Sequence, residues 1–182
     1  MKQLKKILLA VGLTFVASQG FAEDTDEVGG AKMYPSKNIV ENAMNSKDHT
    51  TLVAAVKAAG LVETLQGKGP FTVFAPVNKA FDELPEGTVA TLLKPESKPT
   101  LTKVLTYHVV SGKVDSAALA KMIKEGNGKA KLTTVEGGTL TVSMKGDKVV
   151  IEDAKGGMAH VTIKDVFQSN GVIHVIDHVL MP

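Results

Sequence analysis

The stretch Asn170-Gly-Val-Ile-His-Val-Ile-Asp-His-Val-Leu-Met-Pro182 decides how this chain is read. Val172, Ile173, Val175, Ile176 and Val179 crowd around two histidines, His174 and His178. β-branched side chains lose rotamer freedom in a helix and pack well on a pleated surface. The stretch therefore reads as an extended, buried segment over residues 172–180. The rival reading is a metal site, because His-x-x-x-His on a helix places two imidazoles on one face. On a strand the same two Cα atoms lie about 13 Å apart, four steps of roughly 3.3 Å. Zn–N bonds of about 2.0–2.1 Å do not close that gap on one ion. No metal is expected. His174 and Asp177 are instead expected in or near the core, with their hydrogen bonds satisfied, since a buried polar group left unpaired costs roughly 1–3 kcal/mol.

Working back from this segment, the hydrophobic period is two. Leu140, Val142 and Met144 alternate with Thr139, Thr141 and Ser143. Gly137-Gly138 and Gly146-Asp147 stand at turn positions, so residues 131–182 predict an antiparallel meander. Further upstream the pattern is helical. Leu52, Val53, Val56 and Ala59 follow Asp48 and Thr50, either of which can cap a helix that ends at Gly60. Phe71-Thr-Val-Phe74 is a short strand stopped by Pro76, and Asn78 can cap a short helix through Phe81 and Leu84. Residues 88–93, the group Leu101, Val104 and Leu105, and the group Leu119, Met122 and Ile123 give further short helices. Helices first and strands last argue an α+β fold.

The N-terminal end has a different character. Lys2, Lys5 and Lys6 precede an uncharged, mostly apolar run from Ile7 to Ala17, and Gly20-Phe21-Ala22 supplies small residues before Glu23 and Asp24. That order reads as a signal peptide over residues 1–22, too short to span a bilayer. Residues 23–35, acidic and then Gly-rich, read as a flexible leader, and residues 36–182 as one domain. Removing residues 1–22 takes three of the 21 basic residues and none of the 19 acidic ones, leaving a net charge of −1. All basic residues are Lys. Without Arg the chain lacks the planar fork that reads phosphate and guanine bidentately, so nucleic acid is not an expected partner. There is no Cys, which excludes thiol catalysis and thiolate metal sites. The mature protein is expected to be an exported monomer, periplasmic or extracellular, with no stable membrane insertion.

Reactive-site patterns are sparse. No Gly-x-Ser-x-Gly elbow, Ser-x-x-Lys pair or P-loop occurs. Glu152-Asp153 and Asp82-Glu83 read as solvent-facing carboxylates. The densest lysine pairs, Lys121/Lys124 and Lys129/Lys131, read as solvated faces, with an anionic partner as the alternative. His49 and His160 carry no signal. A Ser/His/Asp group assembled in three dimensions is left open by sequence.

Three blocks line up in order: Phe71-Thr-Val-Phe-Ala-Pro-Val-Asn-Lys-Ala-Phe81, Leu105-Thr-Tyr-His-Val-Val110, and the closing stretch from Asn170. Together they resemble the fasciclin domain over residues 36–182. Asp165-Val166 resembles the family's Asp-Ile step. Val77 departs from the family's more common Thr, and Val166 from its Ile. The resemblance implies a wedge of antiparallel β-strands flanked by several short helices, with no cofactor and no established reaction. It implies a non-enzymatic binding module serving adhesion or cell-envelope and matrix contact through a protein or glycan partner. Tyr107, His108, Asp165 and Val166 are the surface determinants it implies. Phe74, Pro76, Asn78, Phe81, Asn170, Gly171, His174 and Asp177 are the structural residues of the motif. His108 is expected to tie the start of a strand to the first block. A periplasmic hydrolase or small-ligand carrier is the competing reading.

Overall fold

The computed structural model describes residues 25–182. The expected signal peptide lies outside the described residues. Nine strands and seven α-helices follow in chain order among the described residues. A small hairpin comes first, β1 (Asp26–Val28) and β2 (Ala31–Met33). Short helices α1 (Ile39–Ala43), α2 (Thr50–Ala59) and α3 (Val62–Gln66) lead into β3 (Phe71–Pro76). Helices α4 (Asn78–Asp82), α5 (Thr88–Leu92) and α6 (Lys98–Tyr107) precede β4 (Val109–Ser111). After α7 (Ser116–Glu125) the remaining chain is strand: β5 (Lys129–Thr133), β6 (Thr139–Lys145), β7 (Lys148–Glu152), β8 (Met158–Gln168) and β9 (Gly171–Ile176).

Local chemistry explains several boundaries. Asn38 and Glu41 form a reciprocal capping box on α1, with Glu41 N–H to Asn38 Oδ1 at 3.0 Å and Asn38 N–H to Glu41 Oε2 at 2.9 Å. Asp115 caps α7 by accepting the Ala118 N–H at 2.8 Å. Gly60, at φ 72°, closes α2 in the left-handed conformation a Cβ would disfavour. Neither Asp48 nor Thr50 caps α2, and Asn78 does not cap α4. Asn78 reaches across instead: its Oδ1 accepts from Thr51 N–H at 3.0 Å, and its Nδ2 donates to Lys47 O at 2.8 Å. A free N–H in the first turn of α2 is thus satisfied by a residue 27 positions downstream, which no local pattern reveals.

The seven strands β3 to β9 form one sheet in the order β4-β3-β9-β8-β7-β6-β5. The expected meander holds from β5 to β9, all antiparallel. One pairing departs from the expected all-antiparallel wedge: β3 lies parallel to β9, with Phe71 opposite Gly171 and Phe74 opposite His174. The outer strands approach each other through a bridge between Val110 and Thr134 and a 2.7 Å bond from Val135 N–H to Val109 O. The sheet is therefore rolled into a near-barrel that leaves β4 and β5 few free edge groups.

Alternation along β3 and β9 separates two cores. Val73, Ala75, Ile173 and Val175 pack with Leu52, Val56, Leu101 and Leu105 under the helices. Phe74 and Ile176 point the other way, into a cluster with Tyr107, Leu119, Leu140, Val142, Ile151 and Leu180. Both central strands are covered on both sides, which is why they read as continuous apolar runs. The helix-side core retains a void of about 50 Å³. At roughly 24 cal/mol per Å³ such a void costs about 1 kcal/mol.

The leader expected to be flexible is structured over residues 26–33. Val28 and Met33 are 4% and 3% exposed and belong to the helix-side core. The hairpin's Gly-Gly turn, which reads as flexible in sequence, has both glycines at positive φ and supplies the tight reversal that folds these two apolar residues back.

Candidate functional site

Three of the four residues expected on the surface are internal. Tyr107, the last residue of α6, is 0% exposed. Its hydroxyl donates to Thr139 O at 2.9 Å and accepts the Ala154 N–H at 3.0 Å. A Cβ built on Gly138 would stand 2.6 Å from the Tyr107 ring, so the ring lies against a position only glycine leaves open. Burial pushes the Tyr107 pKa up. His108 is 2% exposed and Val166 1%. A phenol beside an imidazole has the same appearance in sequence whether it faces a partner or a core, and here burial with both polar ends satisfied decides for the core.

His108 ties together other elements than those expected. Its Nδ1–H donates to Val104 O at 2.8 Å, and its Nε2 accepts the Leu180 N–H at 3.0 Å. The ring thus anchors the closing segment to α6, while only the His108 carbonyl bonds the first block, through Phe74 N–H at 2.9 Å. Burial lowers its pKa to about 4. Asp165 alone of the four is partly open to solvent. It sits at φ 60° in an irregular part of β8, and its carboxylate accepts from the Ser116 N–H at 2.6 Å and from the Ser116 hydroxyl. That carboxylate holds the N-terminus of α7.

The closing motif is a set of internal struts. Asn170 Oδ1 accepts the Ile39 N–H at 3.0 Å, and its Nδ2 donates to Leu65 O at 2.7 Å and Gly67 O at 2.9 Å. A Cβ on Gly171 would stand 2.0 Å from Phe71 O. His174, 0% exposed, accepts the Asp165 N–H on Nδ1 at 3.3 Å and donates Nε2–H to Val114 O at 2.8 Å. Its ring stacks on Phe74, centroids 5.7 Å apart. Burial lowers its pKa, as it does that of His49. Pro76 and Phe81 are buried at the end of β3 and in α4.

These bonds bear on catalysis and metals. Both ring nitrogens of His174 are committed to backbone groups, and the Ser116 hydroxyl is bonded to Asp165. Ser116, His174 and Asp165 come together without the nucleophile–base hydrogen bond that a triad needs. His178 turns away from His174 to meet Glu83 Oε2 at 3.0 Å. Among the described residues no group of three or more metal-ligating side chains converges. Asp177 is less buried than expected: 44% of its side chain is exposed, and it meets His160 through the backbone N–H at 2.7 Å and Nδ1 at 3.2 Å. Asp153, expected to face water, is 7% exposed and accepts from Lys155, Gly157 and Met181 N–H groups.

The outer surface supplies a different grouping. A groove of about 700 Å³ runs where β6, β7 and β8 meet the segment after β9. Lys145, Lys148, Lys164 and His160 line it, with Asp147 and Asp177. Lys145 and Lys148 are directly opposed across the Gly146-Asp147 turn, a like-charge placement that destabilises a hairpin. Among the described residues none of these three lysines has a carboxylate within ion-pair distance, whereas Lys121 and Lys129, from the pairs conspicuous in sequence, meet Glu125 and Glu152 at 3.9 Å. The lysines flanking a two-residue turn are visible in sequence. Their neighbour Lys164 arrives only through sheet pairing.

Comparison with known proteins places this arrangement. A family profile described as the fasciclin domain matches residues 47–182. Protein sll1483 of Synechocystis is 43% identical over 93% of this chain and 95% of its own length. Immunogenic protein MPB70 of Mycobacterium bovis is 37% identical over 77% of this chain and 66% of its own. Human periostin is 32% identical over 74% of this chain but only 15% of its own length. A solved FAS1 domain pair from the insect cell adhesion molecule Fasciclin I superposes with a TM-score of 0.73 at 20% identity, covering 82% of this chain and 52% of that one. The parallel β3–β9 pair, the internal Tyr-His and Asn-Gly struts and these matches lead to one conclusion: the chain belongs to the fasciclin domain family.

Proposed function

We propose that this protein is an exported, non-enzymatic binding module that contacts an anionic protein or glycan of the cell envelope or matrix through the lysine groove. The observation that carries this reading is the convergence of Lys145, Lys148 and Lys164 in one groove, where they outnumber the two carboxylates, Asp147 and Asp177, and where among the described residues none of the three forms an ion pair. Holding unpaired like charges together has an electrostatic cost, and an anionic partner removes it. Lysine ammonium groups are point charges, suited to a repeating anionic surface rather than one planar group. The structural neighbour Fasciclin I is a cell adhesion molecule, which agrees with a contact role. The signal-like N-terminus agrees with export.

The test is binding of the purified protein to immobilised envelope or matrix fractions. Replacing all three lysines by Gln should reduce binding at least tenfold, and added salt should weaken the wild type more than the variant. Equal binding by both proteins would overturn the assignment.

A further inference from the structure

The void in the helix-side core is a second candidate site, apart from the lysine groove. Val28 and Met33 of the hairpin, Ile39 of α1, Leu52 and Val56 of α2, and Ile173 of β9 form its walls. The few polar groups along it are already engaged. Ser46 Oγ meets His49 Nδ1 at 2.9 Å, His49 Nε2 meets Ala75 O at 3.4 Å, and both nitrogens of His108 are bonded. The interior therefore offers a ligand only hydrocarbon contact, and a void lined this way stays free of water.

The opening of the void has a different chemistry. Ala43, Val53 and Val62, all half-buried, mark the mouth between α1, α2 and α3. Lys57 stands there as well, one turn after Val53 on the same face of α2. It is exposed, and no carboxylate of the described residues pairs with it. Apart from His49 and His108, Lys57 is the only ionisable side chain along the void among the described residues. One cation at the rim above an apolar interior is the complement of an anionic amphiphile entering tail first.

We propose that this cleft binds the alkyl chain of a medium-chain carboxylate, with the carboxylate held at the mouth by Lys57. The void of about 50 Å³ receives the chain end. Met33 provides the remaining length. Its unbranched side chain has three rotatable bonds and re-packs readily. Among the described residues the hairpin that carries it shares no strand ladder with the main sheet and is tied outward by Lys47 N–H to Gly29 O at 3.2 Å, so movement of this wall leaves the main sheet's ladders intact. This site is separate from the lysine groove, and its fate in experiment leaves the groove assignment untouched.

Sodium decanoate, below its micellar concentration, is the probe. Methyl NMR of the purified protein should show saturable shifts at Met33, Ile39 and Val53, while the exposed Met144 and Met158 stay still. Decanol should give the same methyl shifts. Lys57→Gln should weaken decanoate about two- to five-fold, the range of one exposed ion pair, and leave decanol unchanged. Ala43→Phe or Val53→Phe, each at the half-buried mouth, should abolish both ligands with the far-UV spectrum intact. Absence of saturable shifts at Met33 and Ile39 in the wild type overturns the proposal without recourse to any variant. Equal loss of decanol and decanoate in Lys57→Gln overturns the head-group assignment, as does no loss of either.

Discussion

The closing motif and the lysine groove meet at Asp177, yet they treat polar atoms in opposite ways. Around β9 the side-chain oxygen and nitrogen of Asn170 and both ring nitrogens of His174 are bonded, and among the described residues no buried side-chain nitrogen or oxygen lacks a partner. Asn170, His108 and His174 join segments far apart in the chain: Asn170 bonds Ile39, 131 positions away, and His108 bonds Leu180, 72 positions away. In the groove, a few residues outward, three ammonium groups outnumber two carboxylates, and among the described residues none of the three forms an ion pair. The first arrangement minimises the free energy of the folded chain. The second raises it slightly, through like charges held close together. The motif residues therefore report on the fold, and the proposed function assigns the partner to the unpaired lysines instead.

That contrast breaks most readily at Asn170. Asn170→Ala removes three hydrogen bonds and orphans the Ile39 N–H and the Leu65 and Gly67 carbonyls. With each buried orphan costing about 1–3 kcal/mol, the expected loss is about 3–5 kcal/mol in urea unfolding. A loss below about 1 kcal/mol would show that Asn170 is no strut.

Acid tests the same interior through His108. Its pKa falls from the usual 6.5 to about 4 on folding. The unfolded chain therefore binds the extra proton first, and stability present above pH 6.5 is lost as pH falls towards 4. At about 1.4 kcal/mol per pKa unit, the loss from this residue approaches about 3 kcal/mol. His49 and His174 shift in the same direction and add to it. Urea midpoints from about pH 7 to about pH 4 measure the loss, and NMR titration of the His108 ring identifies its source. A ring that titrates near the usual 6.5 would remove it from the interior.

Smaller effects sharpen the contrast. Tyr107→Phe keeps the ring against Gly138 but leaves Thr139 O and Ala154 N–H without their shared partner, for about 1–2 kcal/mol in thermal unfolding. Lys145→Gln with Lys148→Gln lies at the other end. Stability should change by no more than about 0.5 kcal/mol, with a rise favoured because opposed like charges are removed, while partner binding falls. A stability loss above about 1 kcal/mol would make these lysines structural and erase the distinction between the two regions.

Most of the fold is legible along the chain, for identifiable reasons. The period-two alternation of Leu140, Val142 and Met144 marks β6, and Gly146-Asp147 marks the turn into β7. The β-branched run from Val172 marks β9. Three ordered blocks carry the family. The failures share one cause. Asn78 reads as the cap of its own helix because capping is a local pattern, and it bonds α2 instead. The resemblance implied Tyr107 and His108 at the surface, and what places them inside, their partners Thr139, Ala154, Val104 and Leu180, comes mostly from other elements. The hairpin at residues 26–33 reads as flexible because three-residue strands give too short a pattern to distinguish from a tail.

By itself the amino-acid order determined what depends on neighbours: the helix and strand periods, the glycine turns, the absence of Arg and Cys, and the motif that names the family. Only the tertiary structure decided which strand lies parallel to β9, which imidazoles are internal, and which lysines share a groove. Those outcomes depend on atoms brought within about 3 Å from positions tens of residues apart, and on the desolvation that such closeness imposes. Neither quantity is written in any window of sequence.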